Sequence, residues 1–334
     1  MVISRTPFRI SFFGGGTDYP VWYREHGGAV LSASINKYCY LTCRYLPAFF
    51  DHTTRVVWSK VELVKNFEEI QHPSARETIK FLGIKDGLEI HHDADLPARS
   101  GLGSSSAFTV GLLNSLNTLL GRSSNRRQLA LEAIHIEQEK IKENVGSQDQ
   151  AAAAFGGLNK ITFGGPDHFR MEPVVLKKDS LRSFEDHIML FFTGLSRNAS
   201  EVAAEQIRLT PQKEKELTAM RSMVDTAADF LKQGNFIDFG RLLHETWQIK
   251  RTLSSQITNS SIDEIYEAGM RAGALGGKLL GAGGGGFIMF FVRPEDQPRV
   301  RETLKNLLCV PVKFDHRGSQ IIFNSNGGHP VRLS

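Results

Sequence analysis

The amino-acid sequence predicts a fold of the α+β class. Segments of strand character and segments of helical character follow one another in blocks, rather than alternating one by one. This order favours α+β over a doubly wound parallel sheet. With 334 residues the chain is long enough for two domains, and the polar stretch 177–186 has the composition of a linker between them.

The first half of the chain begins with strands and continues with helices. Runs of β-branched and aromatic residues, separated by glycine and proline, predict strands. These strands are Val2–Ser4, Arg9–Phe13, Ala29–Ile35, Tyr38–Tyr45, Arg55–Trp58 and Leu88–His92. Apolar residues at helical spacing predict helices at Ser106–Leu120, Arg126–Glu143 and Ser147–Phe155. Strands return at Leu158–Phe163 and Val174–Leu176.

The second half is mainly helical between short strands. A strand at Ile188–Phe192 precedes a helical stretch from Ala199 to Ala274, with breaks near Pro211, Gly234 and Asn259. The last predicted elements are the glycine-rich segment Gly276–Gly286, strand Phe287–Val292, helix Pro294–Leu308 and strand Val312–Phe314. Glycine is abundant (31 residues, against an average of about 7%) while proline is scarce, so particular backbone positions need glycine.

Charge and cysteine content exclude several classes of protein. The net charge is +4 without a dense run of Lys or Arg, so we expect no nucleic-acid partner. Three cysteines, an odd and low number, argue against a disulfide framework and for a reducing compartment. The N-terminus lacks the apolar core of a signal peptide, and the apolar stretch Phe287–Val292 is too short for a membrane span. We therefore expect a cytoplasmic protein without a membrane partner.

The strongest local signal is Leu96–Ala107, which follows a predicted strand and opens onto a predicted helix. Gly101 and Gly103 allow the backbone to approach a ligand closely, and the helix N-terminus offers free N–H groups to an anion. The segment predicts a phosphate cradle, although it lacks the P-loop lysine and the spacing of the dinucleotide fingerprint. A serine-rich N-cap on an ordinary helix is the alternative interpretation.

Two carboxylates lie at unusual positions. Glu137 falls in the middle of the apolar face of its helix, where a carboxylate is costly unless it is paired or binds a metal. A partly buried ion pair would also explain it. Asp149 lies in the first turn of the next helix, where the helix dipole alone favours an aspartate.

Two more segments are rich in glycine. Pro7–Pro20 runs from an apolar strand that contains Arg9 into Gly-Gly-Gly-Thr-Asp, whose short polar side chains suit sugar hydroxyls. A turn with an Asx cap is the alternative. Gly276–Phe287 places four consecutive glycines before an apolar strand, which they weaken unless another backbone or a ligand comes close. A bulged strand entry is the alternative there.

Taken together and in this order, the segments resemble the three motifs of the GHMP kinase superfamily, which includes galactokinase, homoserine kinase and mevalonate kinase. The motifs match Pro7–Asp18, Pro97–Ala107 and Lys278–Phe287, so the resemblance covers nearly the whole chain. The Gly-Gly-Gly-Thr-Asp variant, Gly27–Leu31, Thr193–Arg197 and Trp247–Arg251 are similar to the subgroup of bacterial D-glycero-D-manno-heptose 7-phosphate kinases.

The resemblance implies a two-lobed fold and a kinase activity. The N-terminal lobe, 1–176, would resemble ribosomal protein S5 domain 2, and the C-terminal lobe, 187–334, would be ferredoxin-like. ATP, Mg²⁺ and a small-molecule sugar would bind between the lobes. The implied reaction phosphorylates the C1 hydroxyl of the heptose 7-phosphate and yields the 1,7-bisphosphate for nucleotide-heptose biosynthesis.

The resemblance also implies a role for single residues. Those matched to the ATP-binding motif are Pro97, Arg99, Gly101, Leu102, Gly103, Ser104, Ser105 and Ser106. Ser105, or its neighbour Ser104, would hold Mg²⁺ together with Glu137. Asp149 matches the catalytic aspartate, and Arg9 matches the basic residue that pairs with it. The predicted substrate contacts are Gly15, Gly16, Thr17, Asp18, Arg197, Lys250, Gly283 and Gly284. Galactokinase has Glu-His at the positions that match Gly15-Gly16, so galactose is disfavoured as the substrate.

Several alternatives stay open at this point. One is a kinase for an unphosphorylated sugar, such as a fucokinase-like enzyme. Another is an ATP-dependent decarboxylase of the same fold, which the Gly-Gly-Gly-Thr-Asp segment disfavours. A third is a sensor that binds ligands without turnover, which the complete set of Arg9, Ser105, Glu137 and Asp149 disfavours. The sequence leaves the sugar, the anomer and the oligomeric state undetermined.

Overall fold

The computed structural model describes residues 1–195 and 199–325. Its strands are β1 Val2–Phe13, β2 Gly28–Tyr45, β3 Thr54–Val57, β4 Val61–Val64, β5 Leu88–Ala94, β6 Leu158–Phe163, β7 Phe169–Pro173, β8 Ile188–Phe192, β9 Gly276–Leu279, β10 Phe287–Phe291, β11 Leu308–Val310 and β12 Gln320–Asn324. Its α-helices are α1 Pro20–His26, α2 Pro73–Leu82, α3 Ser104–Leu119, α4 Arg126–His135, α5 Gln148–Phe155, α6 Lys178–Asp186, α7 Ala199–Leu209, α8 Glu214–Gln233, α9 Phe236–Lys250, α10 Ser260–Arg271 and α11 Gln297–Thr303. The predicted α+β class is confirmed.

The strands form two sheets, one in each lobe. The first sheet has the order β12-β1-β2-β5-β3-β4, and β6 and β7 branch from the N-terminal half of β2. Only the pairing of β3 with β5 is parallel in this sheet. The second sheet has the order β11-β8-β10-β9 and is antiparallel throughout. Helix α3 packs on β1 and β2, and α9 packs on β9, so these two helices approach the junction from opposite lobes.

Aromatic rings join the two lobes. Phe12 of β1 lies 5.5 Å from Phe184 and 5.8 Å from Phe239, measured between ring centroids. Phe184 is fully buried and also packs on Phe291 and Phe314. Since burying one aromatic side chain contributes about 1.5–3 kcal/mol, this cluster holds β1 firmly against the second sheet. The cavity described below opens at the same junction.

Some predicted elements differ from the observed ones. Phe184 belongs to helix α6, so the predicted linker 177–186 is mostly a helix with a buried face. The strand predicted at Val174–Leu176 is wrong, since β7 ends at Pro173. The strand predicted at Val312–Phe314 is a single bridge from Phe314 to Ile35. The helices predicted at Arg126–Glu143 and Pro294–Leu308 are shorter as α4 and α11. A π-helical segment follows α4, a 3₁₀ turn precedes α11, and Leu308 already belongs to strand β11.

The last described strand lies in the lobe where the chain starts. Strand β12 pairs antiparallel with β1, so it belongs to the first sheet although it follows the second one in sequence. The predicted C-terminal lobe, 187–334, therefore includes residues that complete the other lobe. Among the described residues no helix is long and apolar enough to cross a membrane.

Candidate active site

The phosphate loop predicted from the sequence leads into the N-terminus of α3. Gly103 is left-handed (φ 75°) and precedes the helix, and the first helical hydrogen bond runs from the Ala107 N–H to the Gly103 carbonyl at 2.9 Å. The N–H groups of residues 104–106 precede that bond and remain available to an anion. The loop residues that line the cavity are Arg99, Gly101, Gly103, Ser104, Ser105 and Ser106. Pro97 is exposed and Leu102 is fully buried, and neither lines the cavity.

The C-terminal glycine segment lies directly against this loop. Gly286 approaches Ser100 so closely that a Cβ on the glycine would lie 2.4 Å from the serine carbonyl oxygen. The Phe287 N–H donates to the same carbonyl at 3.2 Å. The glycine-rich segment thus brings the two lobes together backbone against backbone, which is the close approach that the run of glycines predicted.

Arg9 and Asp149 form a bidentate ion pair beside the loop. Arg9 Nε donates to Asp149 Oδ1 at 2.7 Å, and Nη2 donates to Oδ2 at 2.9 Å. Arg9 Nη1 donates to the carbonyl of Gly101 at 2.7 Å, which fixes the guanidinium to the phosphate loop. Parallel bonds of this kind orient both groups. Gly103 leaves the pair accessible, because a Cβ there would lie 3.3 Å from Asp149 Oδ2.

Glu137 lies behind the loop in a π-helical segment, Ile136–Lys140, and is fully buried. Its Oε2 accepts hydrogen bonds from Ser106 Oγ at 2.8 Å and from the Gln150 side-chain amide, while Oε1 accepts none from the described part of the chain. Burial raises the pKa of Glu137 to about 7. A desolvated carboxylate with a free oxygen beside a phosphate site fits a divalent cation, which prefers oxygen ligands.

Of the three serines of the loop, Ser106 is the one that donates to Glu137. Ser106 is buried and Ser105 is exposed. Successive residues of a helix point about 100° apart, so the three serines cannot all face Glu137. That Ser105, or its neighbour Ser104, holds Mg²⁺ together with Glu137 stays a prediction. The described residues contain no group of three or more His, Cys, Asp and Glu side chains that could hold a metal ion.

Asp18 is one of the side chains predicted to bind the sugar. Its Oδ1 accepts from the Gly16 N–H at 3.0 Å, and its Oδ2 accepts from Gln148 Nε2 at 2.9 Å. Burial raises the pKa of Asp18, and the neighbouring Asp149 raises it further. A side chain at Gly146 would place its Cβ 1.9 Å from Asp18 Oδ2, so glycine is required there.

Two buried lysines from the C-terminal lobe line the same cavity. Lys250 Nζ donates to the Gly281 carbonyl at 2.5 Å, and Lys278 Nζ donates to the Phe12 carbonyl at 3.0 Å. Burial, and then the positive charge of Arg9, lower the pKa of Lys250 to about 8. Burial and the charge of Lys250 lower the pKa of Lys278 well below its usual value. Sequence reasoning missed Lys278, although a lysine within the apolar and glycine-rich strand β9 is a signal that could have found it.

The other predicted substrate residues divide into two groups. Gly15 and Gly16 line the cavity with Asp18 and Lys250. Thr17 does not, because its hydroxyl is bonded to the carbonyls of Gly14 and Ala29. Gly283 and Gly284 pack instead on the backbone of Ile257. Arg197 lies outside the described residues. Residues of the cavity that sequence reasoning did not single out include Ser11, Tyr19, Glu143, Gln148, Gln206 and Lys278.

Both lobes of the chain match known protein families. Residues 62–157 match the family model of the GHMP kinases N terminal domain, and residues 227–308 match that of the GHMP kinases C terminal. The chain is 28% identical to a D-glycero-alpha-D-manno-heptose 7-phosphate kinase of Campylobacter jejuni, over 90% of this chain and 92% of that one.

Two further relatives cover most of this chain. An L-fucokinase/L-fucose-1-P guanylyltransferase of Bacteroides fragilis is 26% identical over 91% of this chain and 36% of its own length. Among solved structures, a D-glycero-D-manno-heptose 1-phosphate kinase from Bacteroides thetaiotaomicron superposes with a TM-score of 0.78 at 24% identity, over 97% of this chain and 100% of the other. That structural likeness shows a shared fold.

Proposed function

The chain belongs to the GHMP kinase family, and from that premise we propose that it transfers the γ-phosphate of ATP to the C1 hydroxyl of D-glycero-D-manno-heptose 7-phosphate. Enzymes of this family are ATP-dependent phosphotransferases. The observation that carries the proposal is the bidentate Arg9–Asp149 pair, which lies between the phosphate loop and the Asp18 carboxylate in one cavity. Similarity to the Campylobacter jejuni kinase supports the choice of sugar.

Asp149 is the residue placed to act on the attacking hydroxyl. Its carboxylate faces the cavity, and Arg9 holds both of its oxygens in a fixed orientation. A hydroxyl hydrogen-bonded to this carboxylate gives up its proton as it attacks the γ-phosphorus, which is general-base assistance. Arg9 then lies beside the same oxygen and stabilises negative charge there. Positioning of this kind supplies much of the rate acceleration in phosphoryl transfer.

The N-terminus of α3 is placed to bind the phosphates. The N–H groups of residues 104–106 and the positive end of the helix dipole offer fixed, partly desolvated donors to the transferring group. Glu137 and Ser106 are the residues that would hold Mg²⁺, since their oxygens adjoin this turn and one carboxylate oxygen lacks a partner. The metal would supply positive charge to the phosphate oxygens.

A phosphorylated sugar accounts for the two buried lysines. Lys250 and Lys278 lie near Arg9, and the carboxyl groups that line the cavity are those of Asp18, Glu143 and Asp149. Neither lysine forms a salt bridge with a carboxylate among the described residues. An anion entering the cavity would satisfy donors that are costly to bury alone.

The test is an assay of ADP release with a panel of acceptors: heptose 7-phosphate, fucose, galactose, mannose and mevalonate. We expect the highest kcat/KM with heptose 7-phosphate, and NMR of the product should place the new phosphate on C1. The similarity to the fucokinase favours an unphosphorylated sugar as the second candidate. A higher kcat/KM with fucose than with heptose 7-phosphate would establish that candidate and overturn the first.

A further inference from the structure

Helix α7 forms one wall of the cavity, and the reaction described so far gives it no role. Ser200, Ala203 and Gln206 recur at every third residue and therefore share one face of the helix. All of them line the cavity. Ser200 and Ala203 are short, so Gln206 is the long side chain with which α7 reaches into this space.

Gln206 is buried with an unsatisfied amide. Its exposed fraction is 4%, and its Nε2 has no hydrogen-bond partner among the residues that the structure describes. An unpaired buried donor is unfavourable, and in a ligand-binding cavity it is the expected state of a group that binds an acceptor of the ligand. The amide lies close to Gly16, since a Cβ added there would come within 2.7 Å of Gln206 Nε2. Any side chain at residue 16 would displace the amide.

Other polar groups adjoin the same two glycines. Asp18 Oδ1 accepts the N–H of Gly16. Ser11 Oγ is buried and has no partner within residues 1–195 and 199–325. It is the nearest atom to a Cβ built on Gly15, at 3.9 Å. A donor amide, an acceptor carboxylate and a hydroxyl thus surround the Gly15-Gly16 backbone. This set can bind adjacent oxygens of a sugar, which both donate and accept hydrogen bonds.

We propose that Gln206 is a specificity-determining residue of the acceptor site, and that its Nε2 donates a hydrogen bond to a substrate oxygen above Gly15-Gly16. This inference rests on the proposed function in requiring a sugar as the acceptor. Arg9 and Asp149 adjoin Gly103, whereas Gln206 adjoins Gly16. Gln206 therefore contacts a part of the sugar other than the reacting hydroxyl.

The experiment compares Gln206→Met with the wild type. Methionine keeps the length of the side chain and removes the amide donor. We expect KM for the sugar to rise about three- to tenfold, the effect of one lost hydrogen bond. KM for ATP should stay unchanged, and the melting temperature of the free protein should not fall, because the variant removes an unpaired buried donor. Arg208→Ala, an exposed residue on the same helix, is the matched control and should leave both KM values unchanged. A KM for the sugar within about twofold of wild type would overturn the proposal.

Gln206→Glu identifies the kind of oxygen that is bound. A sugar hydroxyl can donate to the new carboxylate, so KM would rise less than about tenfold; a phosphate oxygen would be repelled, and KM would rise more than about 100-fold. The acceptor used is whichever panel sugar the wild type phosphorylates best, so the heptose assignment can fail while Gln206 is still tested. If the wild type phosphorylates no sugar of the panel, both proposals are wrong.

Discussion

Gly101 and Gly281 come from different lobes and contact each other through their backbones. A Cβ on Gly281 would lie 2.5 Å from the Cα of Gly101, and one on Gly101 would lie 2.3 Å from the carbonyl oxygen of Leu280. Both glycines have φ of +79°. Arg9 donates to the carbonyl of Gly101 and Lys250 to that of Gly281, so this contact connects the catalytic pair of one lobe with a cation of the other.

Gly281→Ala should therefore impair catalysis as well as folding. The methyl group would push Gly101 away and shift the phosphate loop, and a displacement near 1 Å can lower kcat/KM by about 100-fold. Gly83→Ala is the matched control, since Gly83 also has positive φ (+68°) but open space around its Cβ. We expect the free energy of unfolding of the control to fall by about 1–2 kcal/mol, which is the cost of a side chain at positive φ, without a further loss. Equal kcat/KM values for the two variants would show that the contact does not position the loop.

Asp149→Asn should lower kcat by about 10²- to 10⁴-fold, because the amide cannot accept the proton of the attacking hydroxyl. Asparagine keeps the shape of the side chain and one acceptor for Arg9, so the far-UV circular dichroism should change little. The melting temperature should fall, because half of the buried bidentate pair is lost. Asp229→Asn, at an exposed ion pair on α8, serves as the control and should keep full activity. A fall in kcat of less than about tenfold would remove Asp149 from the role of base.

Glu137 makes the stability of the metal-free protein depend on pH. The folded-state pKa of about 7 lies above the value of about 4.3 in an unfolded chain. Between these values the folded state holds a proton that the unfolded state has released, so stability falls as pH rises. The melting temperature of the wild type should thus fall relative to that of Glu137→Gln between about pH 5 and pH 8, by an amount equivalent to roughly 3 kcal/mol.

Two measurements check this assignment. Glu139→Gln changes an exposed carboxylate of the same π-helical segment and should follow the wild-type pH curve. Adding Mg²⁺ with a non-hydrolysable ATP analogue should raise the wild-type melting temperature more at about pH 8 than at about pH 6, since metal binding requires the ionised carboxylate. Parallel pH curves for the wild type and Glu137→Gln would contradict the raised pKa.

Lys250 should make the affinity for a phosphorylated sugar fall at alkaline pH. Its pKa of about 8 means that the ammonium loses its charge above that value, whereas a phosphate monoester stays dianionic. KM for heptose 7-phosphate should then rise above about pH 8 in the wild type. Lys250→Met should raise it about 10- to 100-fold, which corresponds to one charge-assisted hydrogen bond.

The control for this prediction is Lys232→Met, an exposed lysine on α8. It should leave KM and its pH dependence unchanged. If Lys250→Met raises KM equally for heptose 7-phosphate and for an unphosphorylated sugar, Lys250 does not bind the substrate phosphate.

The parts of the site that the sequence predicts are those carried by local patterns. The glycines and serines before α3 predict a helix N-terminus that binds phosphate, and the apolar face around Glu137 predicts a buried carboxylate. Both are observed. The serine that donates to Glu137 could not be predicted in the same way, because the π-helical turn determines which serine Glu137 contacts.

Contacts between distant segments have no comparable signal. Gln206 belongs to an ordinary amphipathic helix, and only the packing of α7 near Gly16 shows that its amide enters the cavity. Lys278 reaches the Phe12 carbonyl across 266 positions of sequence. The strand β12 was missed for a related reason: it is a short edge strand with exposed apolar residues, and its pairing partner lies at the other end of the chain.

The pairing of β12 with β1 joins two segments that are far apart in the sequence, and both β2 and the whole second sheet lie between them. Until residues 320–324 have left the ribosome, the outer edge of β1 has no partner strand, and its N–H and C=O groups are free to pair with another chain. Synthesis of the N-terminal lobe alone therefore cannot finish its sheet. The first sheet is therefore completed only after the segments of the second sheet have been synthesised, and the open edge of β1 exposes the nascent chain to aggregation until then.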